Sequence, residues 1–414
     1  LGTVASNASI DLGHDADKIT LGDFTNVATI SDAETLIGGG LTDTITLGTV
    51  ASNASIDLGH DADKLTFGDF ANVATVSGIE TLIGGSANDT ITIGAVLDNN
   101  NSIDLGAGTD KVTLGNFANL VTIANVESIV GGSAADNVVL TKALTTDHSI
   151  DLGAGTDQLT LAAAANTGSI ANVESLLGNA GADTITITSS VSNGQIDLGN
   201  GLDKLTLGNF ANTATVSNVE TIVGGTAADT IALATAASNA SVDLAAGADK
   251  LTLSDYANKL SVSGIETLIG GADIDTVTVS TQLSDASIDL GGSFDTLTLG
   301  DFANTGTVSR VESIVGGSGA DTITLGAQAN DIAFNLGAGN DKVVLGNFTN
   351  TITLSSVESI VGGTGADTVT LATALTTSSN IDLDAGSDRL VLADTANTGS
   401  LSNVETVQGG SGAD

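Results

Sequence analysis

Self-repetition constrains this chain more than any other feature of it. Residues 1–18 recur unchanged as residues 47–64. An Ile-Asp-Leu-Gly phrase, exact or varied, sets an acid or amide at Asp11, Asp57, Asp104, Asp151, Asp197, Asp243, Asp289, Asn335 and Asp382, each 46 or 47 residues after the last. About nine repeats follow one another with no linker and no change of composition, so residues 1–414 read as a single repeat array and as a segment of a longer one. A period of this size marks architectures in which each repeat buries its apolar face only by stacking on its neighbours.

Each repeat has two related halves, as in IDLGAGTDKVTLGNFAN (103–119) and VESIVGGSGADTITLG (311–326). Both contain a Gly loop, an Asp that closes it, and then alternating polar and apolar residues. The loop-closing residues are Asp17, Asp43, Asp63, Asp89, Asp110, Asp136, Asp157, Asp183, Asp203, Asp229, Asp249, Asp275, Asp295, Asp321, Asp341, Asp367, Asp388 and Asp414, at separations alternating between 26 and 20 or 21. That alternation predicts two coils of 20–26 residues per repeat. After each loop the pattern has period two, with Thr322 and Thr324 outward and Ile323 and Leu325 inward, which is a strand signature. The expected fold is all-β: a parallel β-solenoid of the β-roll or β-helix kind, about nine repeats of two coils each. At ~4.8 Å per coil, eighteen coils would make a rod of roughly 85 Å. One wide coil per repeat is the other geometry, but aromatics make up only 2% of the chain and so broad a lumen is hard to fill.

Composition narrows the partners. The chain has no Cys, which removes disulfides, zinc-thiolate sites and cysteine nucleophiles together. Its 41% apolar content is too high for a disordered acidic tail. No apolar run approaches the ~18–20 residues of a membrane-crossing helix, so no transmembrane segment is expected. Forty-nine acidic residues against ten basic ones give a net charge of −39. Such a surface repels nucleic acid and anionic lipid and attracts cations.

The loops carry the chemistry. Examples are Gly316-Gly317-Ser318-Gly319-Ala320-Asp321, Gly362-Gly363-Thr364-Gly365-Ala366-Asp367 and Gly409-Gly410-Ser411-Gly412-Ala413-Asp414 in one half, and Gly106-Ala107-Gly108-Thr109-Asp110 and Gly337-Ala338-Gly339-Asn340-Asp341 in the other. Glycine lets such a turn reach positive φ and aim carbonyls inward, and Asp adds a hard anionic oxygen. Stacked loops would form a ladder of like charges ~4.8 Å apart, which a divalent ion between coils would relieve. Calcium takes six to eight oxygens, so two loops could share one ion, and about sixteen ions would cancel most of the charge. All eighteen loop Asp residues are therefore candidate calcium ligands. Leu41, Ala87, Ala134, Ala227 and Asp273 replace a loop Gly, at a cost if the backbone there needs positive φ.

These loops resemble the G-G-x-G-x-D-x-(apolar)-x nonapeptide of RTX-type calcium-binding proteins, in degenerate copies over nearly the whole chain but with longer coils. The resemblance implies a parallel β-roll, calcium held between loops, and an extracellular protein exported by bacterial type I secretion, such as a surface-layer or adhesin-like array.

Other recurrences read as structural. Seven of the ten basic residues (Lys18, Lys64, Lys111, Lys204, Lys250, Lys342 and Arg389) follow a loop Asp directly and are expected to screen the acidic loops. Asn26, Asn72, Asn119, Asn166, Asn212, Asn258, Asn304, Asn350 and Asn397 mark a turn, mostly after an aromatic such as Phe24 or Tyr256 that would cover the core edge. The Glu row from Glu34 to Glu405 is expected to be solvated, and His14, His60 and His148 to be exposed loop residues.

No His recurs beside the abundant Ser, Thr and Asp, so an enzyme is not expected. The expectation is an extracellular structural rod with calcium as its cofactor and calcium ions as its partners. Self-association, end to end or lateral, would accompany it. Outward Thr pairs such as Thr90/Thr92 and Thr368/Thr370 leave an ice-binding solenoid as the alternative, alongside the passive stalk of a secreted enzyme.

Overall fold

The computed structural model describes residues 1–414 and contains strands, turns and no helix. It comprises two compact units, Leu1–Gly208 and Asn209–Asp414, each with twenty-two of the forty-four strands. In the first unit the opening strands are β1 (Ser6–Asp11), β2 (Lys18–Thr20), β3 (Val27–Ser31), β4 (Thr35–Gly39), β5 (Thr44–Leu47), β6 (Ser52–Gly59) and β7 (Lys64–Thr66). Each strand pairs in parallel with the second strand after it, so β1, β3, β5 and β7 form one sheet while β2, β4 and β6 form the other. The second unit follows the same scheme, with Ala214 stacked on Ile231 and Ile231 on Leu251. This is a parallel β-solenoid with two strands per coil, as the sequence pattern implied.

The coil is shorter than the loop spacing suggested. Stacked residues are 20 apart from Ile10 to Ile30, 17 from Ile30 to Leu47 and 21 from Leu82 to Ile103. Each repeat supplies five strands, β1–β5 in the first, and a coil uses two. A repeat therefore spans two and a half coils, not two, and neither a 26-residue coil nor a 46-residue coil occurs. The 26-residue separation contains an extra half turn. Consequently β1 and its counterpart β6 lie in opposite sheets.

Apolar residues at alternate positions fill the space between the sheets. Ile45, Leu65, Leu82, Ile103, Ile323 and Val343 are fully buried, and the Thr residues flanking Ile45 and Ile323 point outward. Among the aromatics only Phe67 and Phe334 are in the core. The other rings lie outside it: Phe24 stays 39% exposed and Tyr256 58% exposed. The Phe24 ring covers loop backbone instead, close enough to Gly22 that a Cβ there would be 2.9 Å from it.

Positive φ recurs at several places. Asn7, Asn53, Asn193, Asn239, Asp285 and Asp331 adopt it four residues before the acid or amide of the Ile-Asp-Leu phrase, and two more sets recur with them. One is the residue after Ile-Asp-Leu, which is Gly in most repeats (Gly106, φ 91°) but Ala245 (φ 68°) and Asp384 (φ 65°) in two. The other lies two residues before the recurring Glu, at Asp32, Gly78, Asn125, Asn172, Asn218, Gly264, Arg310, Ser356 and Asn403. Leu41, Ala87, Ala134, Ala227 and Asp273 all have negative φ, so these departures carry no backbone strain.

Candidate metal centre

The half-coil arithmetic decides which acidic residues meet. Asp17 stands at the turn entering β2 and Asp43 at the turn entering β5, hence on opposite edges, although they are neighbours in the Asp series. Residues 17, 20 or 21 apart meet instead. The Asp43 amide donates to Asp63 Oδ1 at 2.6 Å, and the same bond links Asp89 to Asp110, Asp136 to Asp157, Asp183 to Asp203, Asp229 to Asp249, Asp275 to Asp295, Asp321 to Asp341 and Asp367 to Asp388. Sixteen of the eighteen predicted residues thus form eight pairs on consecutive coils, each side chain at most 1% exposed. Asp17 and Asp414 lie outside these pairs, half-buried and exposed respectively.

Two further residues complete the stack in columns that lie within one unit. Asn119 donates its amide N–H to Asp136 Oδ1 at 3.1 Å, and Glu174 Oε2 accepts from the Asp157 amide at 2.8 Å. The column therefore runs Asn119, Asp136, Asp157, Glu174 over four successive coils, with each side chain accepting an N–H from the coil before it. Asn26–Asp43–Asp63–Glu80 and Asn304–Asp321–Asp341–Glu358 repeat it. Such bonds satisfy corner amides that no strand ladder reaches. The expected solvated Glu row is thus corrected: Glu34, Glu127 and Glu312 are half-buried and accept the amide of the loop Asp seventeen residues earlier, and Glu266 and Glu405 do the same while staying exposed. The Asn row is a bonded turn, as expected, but none of its members adopts positive φ. The signal that would have exposed this column is the constant 17-residue gap from Asn to Asp and from Asp to Glu.

The Asp pairs are left incompletely satisfied. Oδ2 of Asp63, Asp110, Asp157, Asp249, Asp295, Asp341 and Asp388 is buried and has no hydrogen-bond partner, and so is Oδ2 of Asp183, Asp321 and Asp367. A buried carboxylate oxygen in that position costs free energy. Desolvation accordingly pushes the Asp63 carboxyl up to about 7, and the neighbouring charges of Asp43 and Glu80 add to the rise. Burial likewise pushes Asp110, Asp157, Asp295 and Asp341 up to about 6.

Beside six of the eight pairs lies a small oxygen-lined cradle kept by a glycine, whose place is taken by Asp61 at Asp43–Asp63 and by Ser293 at Asp275–Asp295. A Cβ at Gly108 would meet Ala87 O and Asp110 Oδ1, each at 2.9 Å, and one at Gly155 would meet Ala134 O and Asp157 Oδ1 at 2.9 and 2.8 Å. Gly247 faces Ala227 O and both carboxylate oxygens of Asp249 in the same way. The glycine keeps this space open between one loop's carbonyl and the next loop's carboxylate. No point in the structure collects three Asp, Glu or His side chains. An ion here would therefore take at most two carboxylates and draw its remaining oxygens from carbonyls and water. That donor set suits calcium, which accepts carbonyl and water oxygens freely. The residues present fit it.

The seven loop-following cations stand at strand starts, where the register points them outward, and none forms an ion pair with a carboxylate within 4.0 Å. His14 and His60 are exposed, as expected. His148 is not: it is half-buried in a corner turn, accepts the Thr145 amide through Nδ1 at 2.9 Å, and lies 3.8 Å from Glu127.

Comparison with known proteins adds little beyond this geometry. No protein-family model and no curated protein matches the chain. Among solved structures, a hyperactive, Ca2+-dependent, β-helical antifreeze protein from an Antarctic bacterium is 22% identical, covering 84% of this chain and 85% of its own, with a TM-score of 0.17. At that TM-score the likeness carries no argument, and the solenoid assignment rests on the strand pairing above.

Proposed function

We propose that this protein is an extracellular, non-enzymatic structural solenoid whose coils are clamped by calcium at the paired corner aspartates. The observation that carries the reading is the Asp–Asp contact on consecutive coils with an unpartnered buried oxygen, as at Asp136–Asp157. A chain of net charge −39 gains twice from such ions, through local pairing and through loss of overall repulsion. Eight pairs give eight ions, half the number that one ion between every two loops would have given. Calcium-coupled folding also suits a chain that stays unfolded where calcium is scarce and locks outside the cell, as in the RTX-type proteins its loops resemble. Lateral or end-to-end self-association would extend the array, with both sheets offering the same rungs.

Equilibrium dialysis with calcium, paired with thermal melts followed by circular dichroism, tests the reading. The expected result is close to eight ions per chain and a melting temperature that falls sharply in chelator. Unchanged spectra and melting in chelator, with no bound calcium, would end it.

Short threonine ladders favour a second reading, ice binding. Thr29, Thr46 and Thr66 stack on one sheet, and Thr75, Thr92 and Thr113 on the other. Both ladders are interrupted. Ile83 follows Thr66, Lys64 stands beside it, and Asp104 occupies the next rung. A flat ice face needs longer regularity, so little or no thermal hysteresis is expected; a large hysteresis would promote this reading over the first.

A further inference from the structure

The asparagine of each column has surroundings like those a cation would take up at the neighbouring Asp pair. Asn119 Nδ2 donates to Gly115 O at 3.1 Å, Phe117 O at 2.8 Å and Asp136 Oδ1 at 2.7 Å. Asn26 and Asn304 repeat the set, with Gly22 O, Phe24 O and Asp43 Oδ1 in one case and Gly300 O, Phe302 O and Asp321 Oδ1 in the other. Two carbonyls and a carboxylate thus converge on one nitrogen that carries two hydrogens. The side chain is 2% exposed at Asn119 and fully buried at Asn26 and Asn304. Its other atom, Oδ1, accepts the Leu97 amide at 3.1 Å. Both amide hydrogens are used and Oδ1 has its own donor.

Two rungs further along, the pattern inverts. Asp157 uses Oδ1 to accept the Asp136 amide, as Asn119 uses Oδ1 to accept the Leu97 amide, yet its second atom is an oxygen with no donor. The Asn step is complete without an ion, and the Asp step lacks a positive group.

We propose that the recurring Asn amide is a built-in substitute for the cation, and that the choice of Asn or Asp at a corner sets whether that step binds calcium. The inference rests on the calcium reading above and extends it from where ions bind to what excludes them. Replacing Asn119 by Asp would turn the Nδ2 donor into an oxygen facing Gly115 O, Phe117 O and Asp136 Oδ1, leaving four acceptors with no donor among them. A hard cation satisfies that set. Replacing Asp157 by Asn would put a donor where the unpartnered oxygen stands and remove the need for one.

The test uses the full chain and compares Asn119→Asp and Asp157→Asn with the parent, by calcium count in equilibrium dialysis and by melting in calcium and in chelator. Asn119→Asp should bind one ion more than the parent, melt lower in chelator and recover the parent's melting temperature in calcium. Asp157→Asn should bind one ion fewer and melt higher than the parent in chelator, a result that stands even where the first variant fails to fold. A parent that binds calcium while neither variant changes the count overturns this inference alone. A parent that binds none overturns the reading beneath it.

Discussion

At the scale of single residues, the molecule rests on carboxylates held where they are costly to ionise. Asp63 at about 7, and Asp110, Asp157, Asp295 and Asp341 at about 6, exceed the ~3.9 of an unfolded Asp, so between these values the native state binds more protons than the unfolded one. The stability they contribute is full below pH ~4 and is lost as pH rises through 6 to 7. Metal-free protein should therefore be less stable to urea at pH 8 than at pH 5, with calcium giving its largest gain at pH 8; a metal-free stability that rises over that range would contradict the burial described above. Asn304→Ala, which removes a buried amide bonded to Gly300 O, Phe302 O and Asp321 Oδ1, should cost about 2–3 kcal/mol by urea denaturation, with or without calcium. The acidic loops were legible in the sequence because Gly and Asp recur there in register. The roles of Asn and Glu were not, since a polar residue beside a Gly turn looks the same whether it is solvated or turned into a corner.

At the scale of the coil, backbone conformation sets what each loop tolerates. Ala245 sits at φ 68° where Gly106, Gly153 and Gly337 stand in other repeats. An L-residue pays ~1–2 kcal/mol there, partly offset by its smaller entropy loss on folding. Ala245→Gly should therefore raise stability by about 0.5–1 kcal/mol, and Gly106→Ala should lower it, both read from denaturation midpoints. A Cβ at Gly106 would also run into Gly85 O of the preceding coil. Strand alternation was read correctly because period two holds over even three residues. Coil length was not: Asp-to-Asp spacing measures a coil only if successive Asp residues share an edge, and those 26 apart do not.

For the whole molecule, the half-coil remainder has a consequence that can be cut out and measured. Deleting residues 265–310 removes one 46-residue repeat and joins Gly264 to Val311, which stands where Ile265 stood in the pattern. Every later strand then changes sheet, yet each inward residue still points inward. The shortened chain should fold cooperatively, keep its β-sheet circular dichroism and lose one calcium ion, that of Asp275–Asp295. Collapse of the fold would show that the two sheets are not interchangeable. Because the net charge is −39, metal-free protein should also gain melting temperature as NaCl rises from 10 to 300 mM (about 30 to 6 Å of Debye length), while the calcium-loaded form responds far less.

The repeat, the strand period and the surplus of acid are local or additive properties, and the sequence by itself settled them: a parallel solenoid with Ile, Leu and Val inside and aspartates at glycine-rich corners. Which aspartates face each other depends on the length of a closed coil. Closure is a tertiary matter, set by how many residues two strands and two corners need to return one rung higher. Seventeen to twenty-one residues suffice, so a 46-residue repeat ends half a turn out of phase. That phase, invisible in the spacing of any one residue type, pairs the aspartates in eight twos and, in columns such as Asn119–Asp136–Asp157–Glu174, places an asparagine and a glutamate at either end.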